Sequence, residues 1–423
     1  MRGGNGYKAI LVMLFAALAT AGTFAMPEAD PPTAPSEPLS VAARAAATVE
    51  DPEPKGKAKA KAKAKGEAPA GTPRHCQPAS LHERAARVLV VGLPEVTDPS
   101  HSLVAEVLEL GVGGILITDD NVESRAQVTA LVEDIRRRSR APLVVSADEE
   151  SGRVRTFEAI LGRTPSARRL ATEATPPAVR QRGRELGAAL ASMGIDLDLA
   201  PVADLDAGPW SATIGDRSFS SDPAVASEYA LAFAAGLTDG GVRATAKHFP
   251  GRGQATGDDH TSRVTSALSM QELTATHLKP FATMVGAGIP VVMMSNVDYA
   301  VLDRDLPASL SPAAYRLLRG TGFRGVAMTD SVGMAAVNQR WDMAVAAVKA
   351  VAAGGDAVLT SDGSFAKDMV HGLVVAVQRG ELSEQRLNEA AARMVALAGA
   401  DPFPVACQAA VVPTLATAVG ASP

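Results

Sequence analysis

Cysteine is nearly absent: Cys76 and Cys407 are the only two in 423 residues. That excludes a multi-disulfide scaffold and any zinc site built on paired cysteines. Nor does the chain contain an H-E-x-x-H or H-x-E spacing of the kind that holds zinc. No segment repeats with a fixed period, which argues against a repeat array. Neither sign of charge dominates. With 41 basic and 46 acidic residues the net charge is −5, which gives no general reason to expect nucleic acid as a partner. The two cysteines stand at the edges of the structured part. In an exported chain that placement favours a disulfide tying the ends of one domain together, with two buried thiols that never meet as the alternative.

Large apolar residues are also nearly missing from Met26 to about Pro73, where Ala, Pro, Glu and Lys dominate. Such a stretch cannot bury enough surface to offset its ordering entropy, so residues 26–75 read as a disordered linker. Its basic tract, Lys55 to Lys65, is either a solvated spacer or a means of resting on anionic envelope polymers. Ahead of it, Arg2 and Lys8 precede the apolar run Ala9 to Leu18, and small residues follow up to Ala25. This pattern predicts a cleavable export signal over 1–25. The run is short for an anchored membrane span, and no cysteine near the cleavage region supports a lipid-modified N-terminus. The protein is expected to be secreted or associated with the cell envelope.

After Cys76, short apolar runs alternate with helical stretches. Candidate strands are Val88–Val91, Gly114–Thr118, Leu143–Ala147, Ile195–Leu199, Arg243–His248, Val291–Asn296, Gly325–Asp330 and Asp356–Thr360. Amphipathic stretches separate them: Arg125–Arg138, Ala178–Met193, Ala224–Leu237, Gln271–Val285, Trp341–Ala353 and Phe365–Gln378, with Ser383–Leu397 after the last strand. Eight strand-then-helix units predict a (β/α)8 TIM-like barrel as one catalytic domain over 76–407, leaving 408–423 as a tail. A doubly wound sheet would alternate in the same way and stays open on pattern alone.

In a barrel, chemistry gathers where strands end. The third run ends in Asp148-Glu149-Glu150, the fifth in Lys247-His248 and the seventh in Asp330. A carboxylate after Val326-Ala327-Met328 is costly unless bonded or working, so Asp330 is either a helix N-cap or a nucleophile. The fifth run passes through Pro250 and three glycines, Gly251, Gly253 and Gly257, into Asp258, Asp259 and His260. This makes a pliable loop suited to holding a proton donor over a pocket. His260, oriented by Asp258, is the candidate donor. A surface histidine beside solvated acids, or a metal site with His248, are the competing readings.

These segments, together with Asp196-Leu197-Asp198-Leu199-Ala200-Pro201-Val202 and Ile214-Gly215-Asp216-Arg217-Ser218-Phe219, resemble glycoside hydrolase family 3. Within it they are most similar to the single-domain β-N-acetylglucosaminidases. The resemblance implies Asp330 as nucleophile, His260 as general acid/base and Asp258 as its dyad partner. It further implies that Asp148, Arg217, Lys247 and His248 hold the terminal N-acetylglucosamine. No cofactor and no metal are implied, and a monomer is expected. The implied activity is retaining exo-hydrolysis of peptidoglycan-derived or chitin-derived oligosaccharides. Alternatives are phosphorolysis, β-glucosidase specificity and a non-catalytic envelope protein that binds muropeptides. Three positions depart from the family pattern. Ser151-Gly152 stands for Gly-Gly, Arg252 stands for a second histidine, and Thr156 stands for a sugar-contacting arginine, with Arg155 one place earlier.

Overall fold

The computed structural model describes residues 76–415 except 253, 254 and 256. The predicted signal, the linker and the end of the predicted tail lie outside the described residues. Eight parallel strands carry the fold: β1 Leu89–Gly92, β2 Gly114–Ile117, β3 Val144–Ala147, β4 Leu197–Asp198, β5 Arg243–Phe249, β6 Val291–Met294, β7 Val326–Thr329 and β8 Val358–Thr360. Neighbours run β7-β6-β5-β4-β3-β2-β1-β8, and a bridge between Met328 and Ala357 joins β7 to β8. That bridge closes the ring, so the barrel is the fold and the doubly wound sheet is not.

Strand alternation creates two separate cores. Val90, Leu116, Val144, Leu197, Val291, Met293, Val326, Met328 and Leu359 fill the barrel interior, with Met394 and Leu397 of the last long helix packed among them. Leu89, Val91, Ile115, Ile117, Val145 and Val292 point the other way, into the layer beneath the surrounding helices.

The helix Arg125–Arg138 coincides with its predicted range, and Ser383 caps Glu384–Leu397 by accepting from Arg386 N. The predicted helix Gln271–Val285 is instead interrupted. Met270–Glu272 passes into a π turn, Leu273–His277, before Leu278–Gly286 resumes. Pro280 has no N–H to donate one turn back, which is a physical reason for the altered ladder. The predicted start at Trp341 moves to Met343, where the Asp342 carboxylate caps by accepting from Val345 N.

Two devices, one of them deeply buried, hold the ends of the domain. The Asp356 carboxylate, fully buried before β8, accepts from Arg319, Arg386 and Arg393 at 2.5, 2.6 and 2.9 Å. Cys76 and Cys407 form a disulfide across 331 residues, with Cα atoms 5.6 Å apart.

Candidate active site

The site is built on the C-terminal ends of β3, β5 and β7 and on the segments that follow β4 and β5. After β3, the chain makes a small hairpin, Glu149–Ser151 against Val154–Arg155. Thr156 pins it from below: its N and Oγ1 both donate to the Asp148 carbonyl, at 3.0 and 2.9 Å. This fixes where Asp148 and Glu150 stand.

Between them lies Lys247, whose Nζ is 2.5 Å from Asp148 Oδ1 and 2.6 Å from Glu150 Oε1. Arg217 grips Glu150 in a fork, Nε to Oε2 and Nη2 to Oε1, both 2.7 Å. Burial alone would raise Glu150, but the Arg217 and Lys247 charges outweigh it and hold its carboxyl well below the usual range. Burial likewise opposes the Lys247 charge, and Asp148 and Glu150 more than restore it. The two acids play different parts. The Glu150 side chain is 2 % exposed and the Asp148 side chain 34 %, so Glu150 anchors the cations and Asp148 offers oxygen to the cavity.

β5 shifts register between Lys247 and Phe249, which is how the consecutive side chains Lys247 and His248 both line one cavity. His248 Nδ1 lies 2.7 Å from Oδ2 of the fully buried Asp204. Asp204 Oδ1 also accepts from the backbone N of Arg252, at 2.7 Å. Burial works against its charge, yet His248 and these donors hold Asp204 below its ordinary value. With Nδ1 engaged, Nε2 faces Arg217 Nη2 at 3.5 Å.

Asp330 follows β7 and accepts from Ser331 N at 2.7 Å. It caps no helix: the next turn, Ala335–Asn338, is preceded by Met334, and Met343–Ala353 is capped by Asp342. Burial, then the nearby Asp259 charge, push its carboxyl above the ordinary value, against the pull of His248 and Lys247.

His260 Nδ1 sits 2.8 Å from Asp258 Oδ1, and its backbone N donates to the same oxygen at 3.0 Å. Burial opposes the Asp258 charge, but these two bonds hold the carboxyl below its usual range. The pair is open to solvent, with side chains 58 % and 45 % exposed. One cavity of about 370 Å3 is lined by Asp148, Arg217, Lys247, His248, His260 and Asp330. Asp258 lines a neighbouring cavity instead. Asp258, Asp259 and His260 place ligand-type atoms within 4.8 Å of one another. Asp259, however, is already held by Arg252 at 2.6 Å, which leaves a weak donor set for a cation.

Residues 80–397 match the family model described as the glycosyl hydrolase family 3 N terminal domain. The chain belongs to glycoside hydrolase family 3. It is 37 % identical over 342 residues to the beta-hexosaminidase LpqI of Mycobacterium tuberculosis, spanning 79 % of this chain and 86 % of that one. A family 3 glycosyl hydrolase from Mycobacterium smegmatis superposes with a TM-score of 0.71 at 38 % identity, over 75 % of this chain and 97 % of that one. A family 3 β-N-acetylglucosaminidase from Paenibacillus gives a TM-score of 0.72 at 28 % identity, over 80 % of this chain and 65 % of that one.

Within this family 3 barrel the departures acquire a structure. Arg155 does not take the place of the missing arginine, because its Nη2 turns to Glu158 Oε2 at 2.6 Å and it does not line the cavity. Arg252 ties the loop together: Nη1 bonds Asp259, Nη2 donates to the Gly257 carbonyl at 2.7 Å, and its backbone N reaches Asp204. Sequence reasoning passed over Asp204, and it named Glu150 and Asp259 without the ion pairs they make with Arg217 and Arg252. The signal for the first two was a carboxylate just beyond a short apolar strand, the same signal that marked Asp330.

Proposed function

We propose that this chain is an exported, retaining exo-β-N-acetylglucosaminidase acting on terminal β-linked N-acetylglucosamine in peptidoglycan fragments or chito-oligosaccharides. One observation carries the reading: a buried carboxylate, Asp330, and an imidazole backed by a carboxylate, His260, open into one cavity at the barrel mouth. The names of the relatives support the hexosaminidase class.

The terminal ring sits against Asp148, Lys247, Arg217 and His248, whose charges accept from and donate to its hydroxyls. An Asp330 oxygen attacks the anomeric carbon as the glycosidic C–O bond breaks. His260, as imidazolium stabilised by the Asp258 anion, gives its proton to the departing oxygen. Neutral His260 then takes a proton from water as that water attacks the glycosyl ester, releasing Asp330 and the sugar. Each step uses groups of one chain, which suits a monomer, and none needs a metal or cofactor.

The test is turnover of a chromogenic N-acetylglucosaminide and the matching glucoside, with and without phosphate. The expected result is release of free N-acetylglucosamine with a strong preference over glucoside. Formation of N-acetylglucosamine 1-phosphate would replace hydrolysis by phosphorolysis, and no turnover would leave only a binding protein.

A further inference from the structure

Gly333 and Ser361 line not only the catalytic cavity but a second one of about 700 Å3 beside it. It lies on the same face of the barrel, between the segment after β7 and the segment after β8. Asn338, Trp341 and Asp342 come from the first, and Asp362, Phe365 and Asp368 from the second. The catalytic cavity, about 370 Å3, is at the small end of the range for ligand sites. It suits a single ring, so the remainder of an oligosaccharide must lie outside it.

Three properties of the second cavity fix what it would take. Phe365 is a large apolar side chain left 42 % exposed at its wall, a surface on which a ring can lie. Its lining carries three carboxylates, Asp342, Asp362 and Asp368, against one imidazole, His371, and neither lysine nor arginine. Two cations outside the lining lie over its Trp341 ring: Arg340, 4.3 Å from the centroid and paired with Asp298 at 3.0 Å, and Lys349, 5.7 Å from the centroid. Asp342 and Asp362 each commit only Oδ1 to a backbone N–H, at 2.8 and 2.9 Å. Asp368 makes no side-chain hydrogen bond or ion pair among the described residues. Three carboxylates with unspent acceptors around an exposed ring are poorly matched to an anion and well matched to an ammonium group.

We propose that this cavity is the leaving-group subsite, and that it selects a leaving group bearing an ammonium. This rests on the hydrolytic reading of the Asp330 site. The ammonium has two chemical sources, a de-N-acetylated amino-sugar ring or an amine on an attached peptide.

The test compares kcat/KM for N-acetylglucosaminyl-glucosamine, N-acetylglucosaminyl-N-acetylglucosamine and a disaccharide carrying a lysine-containing peptide, with that amine free or acetylated. A chromogenic aryl N-acetylglucosaminide serves as the control. The enzymes are the wild type and Asp342→Asn/Asp368→Asn, which keeps the helix cap because asparagine caps as well as aspartate. At low salt the free amine should raise kcat/KM about fivefold, the scale of two exposed ion pairs. The double variant should bring that ratio to about one and leave the aryl substrate unchanged. The free-amine disaccharide distinguishes the sugar source from the peptide source. A wild-type ratio of one, or a ratio the variant keeps, overturns the proposal. If the aryl substrate itself is not cleaved, the hydrolytic reading fails separately. Calorimetric titration with glucosamine then decides the subsite: binding lost in the double variant supports it, and equal or absent binding in both proteins overturns it.

Discussion

Arg252 Nη1 and Asp259 Oδ1 stand 2.6 Å apart with both side chains almost wholly buried, in the loop that carries Asp258 and His260. Asp259 is also one of the charges that raise Asp330. Arg252→Gln removes the counter-charge and leaves Asp259 pressing on Asp330. The carboxyl of Asp330 must be ionised to attack, so the acidic limb of kcat/KM should move to higher pH. Asp259→Asn should move it lower. Breaking a buried pair of this kind also costs about 3–5 kcal/mol, so thermal melts should accompany the profiles. Unmoved limbs in both variants would reduce the pair to loop packing.

Asp330→Asn should fold and lose turnover by about a thousandfold or more, since the covalent route needs its oxygen. It should not be less stable at pH 8. The raised carboxyl means folding favours its protonated form, and that contribution fades as pH rises through the folded-state value. Wild-type activity in this variant, measured on an aryl N-acetylglucosaminide, would end the assignment of Asp330.

His260 and Asp258 are separable by leaving group. An activated aryl leaving group hardly needs a proton, whereas a sugar hydroxyl does. His260→Ala should therefore lose about 100-fold or more on a disaccharide and much less on an activated aryl substrate. Asp258→Asn should show the same pattern to a smaller degree, because the ring keeps a hydrogen-bond partner but loses the anion. Equal losses on both substrates would argue that the loop positions substrate and does not transfer the proton.

The strands were legible because a barrel interior demands inward apolar residues, and Val90, Leu116 and Met328 supply them at fixed alternation. The boundaries of β4 were not, since Ile195–Leu199 reads as a full strand while only Leu197–Asp198 pairs on the ladder. Asp330, Lys247 and His248 announced themselves as polar groups at strand ends. Glu150 and Asp204 were hidden by their neighbours, because which of several adjacent carboxylates turns inward depends on hairpin and loop geometry. The Arg252–Asp259 pair was hidden for a different reason. Its partners are seven residues apart in an irregular loop, where no periodicity relates them.

Ser151 occupies φ 75°, in the left-handed region where a side chain crowds its own backbone. The family has glycine there. Ser151→Gly should raise stability by about 0.5–1 kcal/mol, the steric relief being partly offset by greater chain entropy in the unfolded state. Chemical denaturation at constant m-value would detect it. No change or a loss would mean that the serine side chain makes up the strain through the hairpin.

Glu149, between Asp148 and Glu150 in the chain, is buried, with Oε2 accepting from Phe157 N at 2.8 Å. Burial, opposed mainly by that bond, pushes its carboxyl from the ordinary 4.5 up to about 7. A folded-state value above the unfolded one gives a contribution fully present below pH 4.5 and lost as pH climbs through about 7. That rise corresponds to at most about 3 kcal/mol at 1.36 kcal/mol per pH unit. Glu149→Gln keeps an acceptor for Phe157 N and has no proton to lose. The variant should be more stable than the wild type at pH 8, with the difference shrinking toward pH 5. Denaturant midpoints taken at both pH values measure this, and a difference that stays constant with pH would show that Glu149 does not titrate in this range.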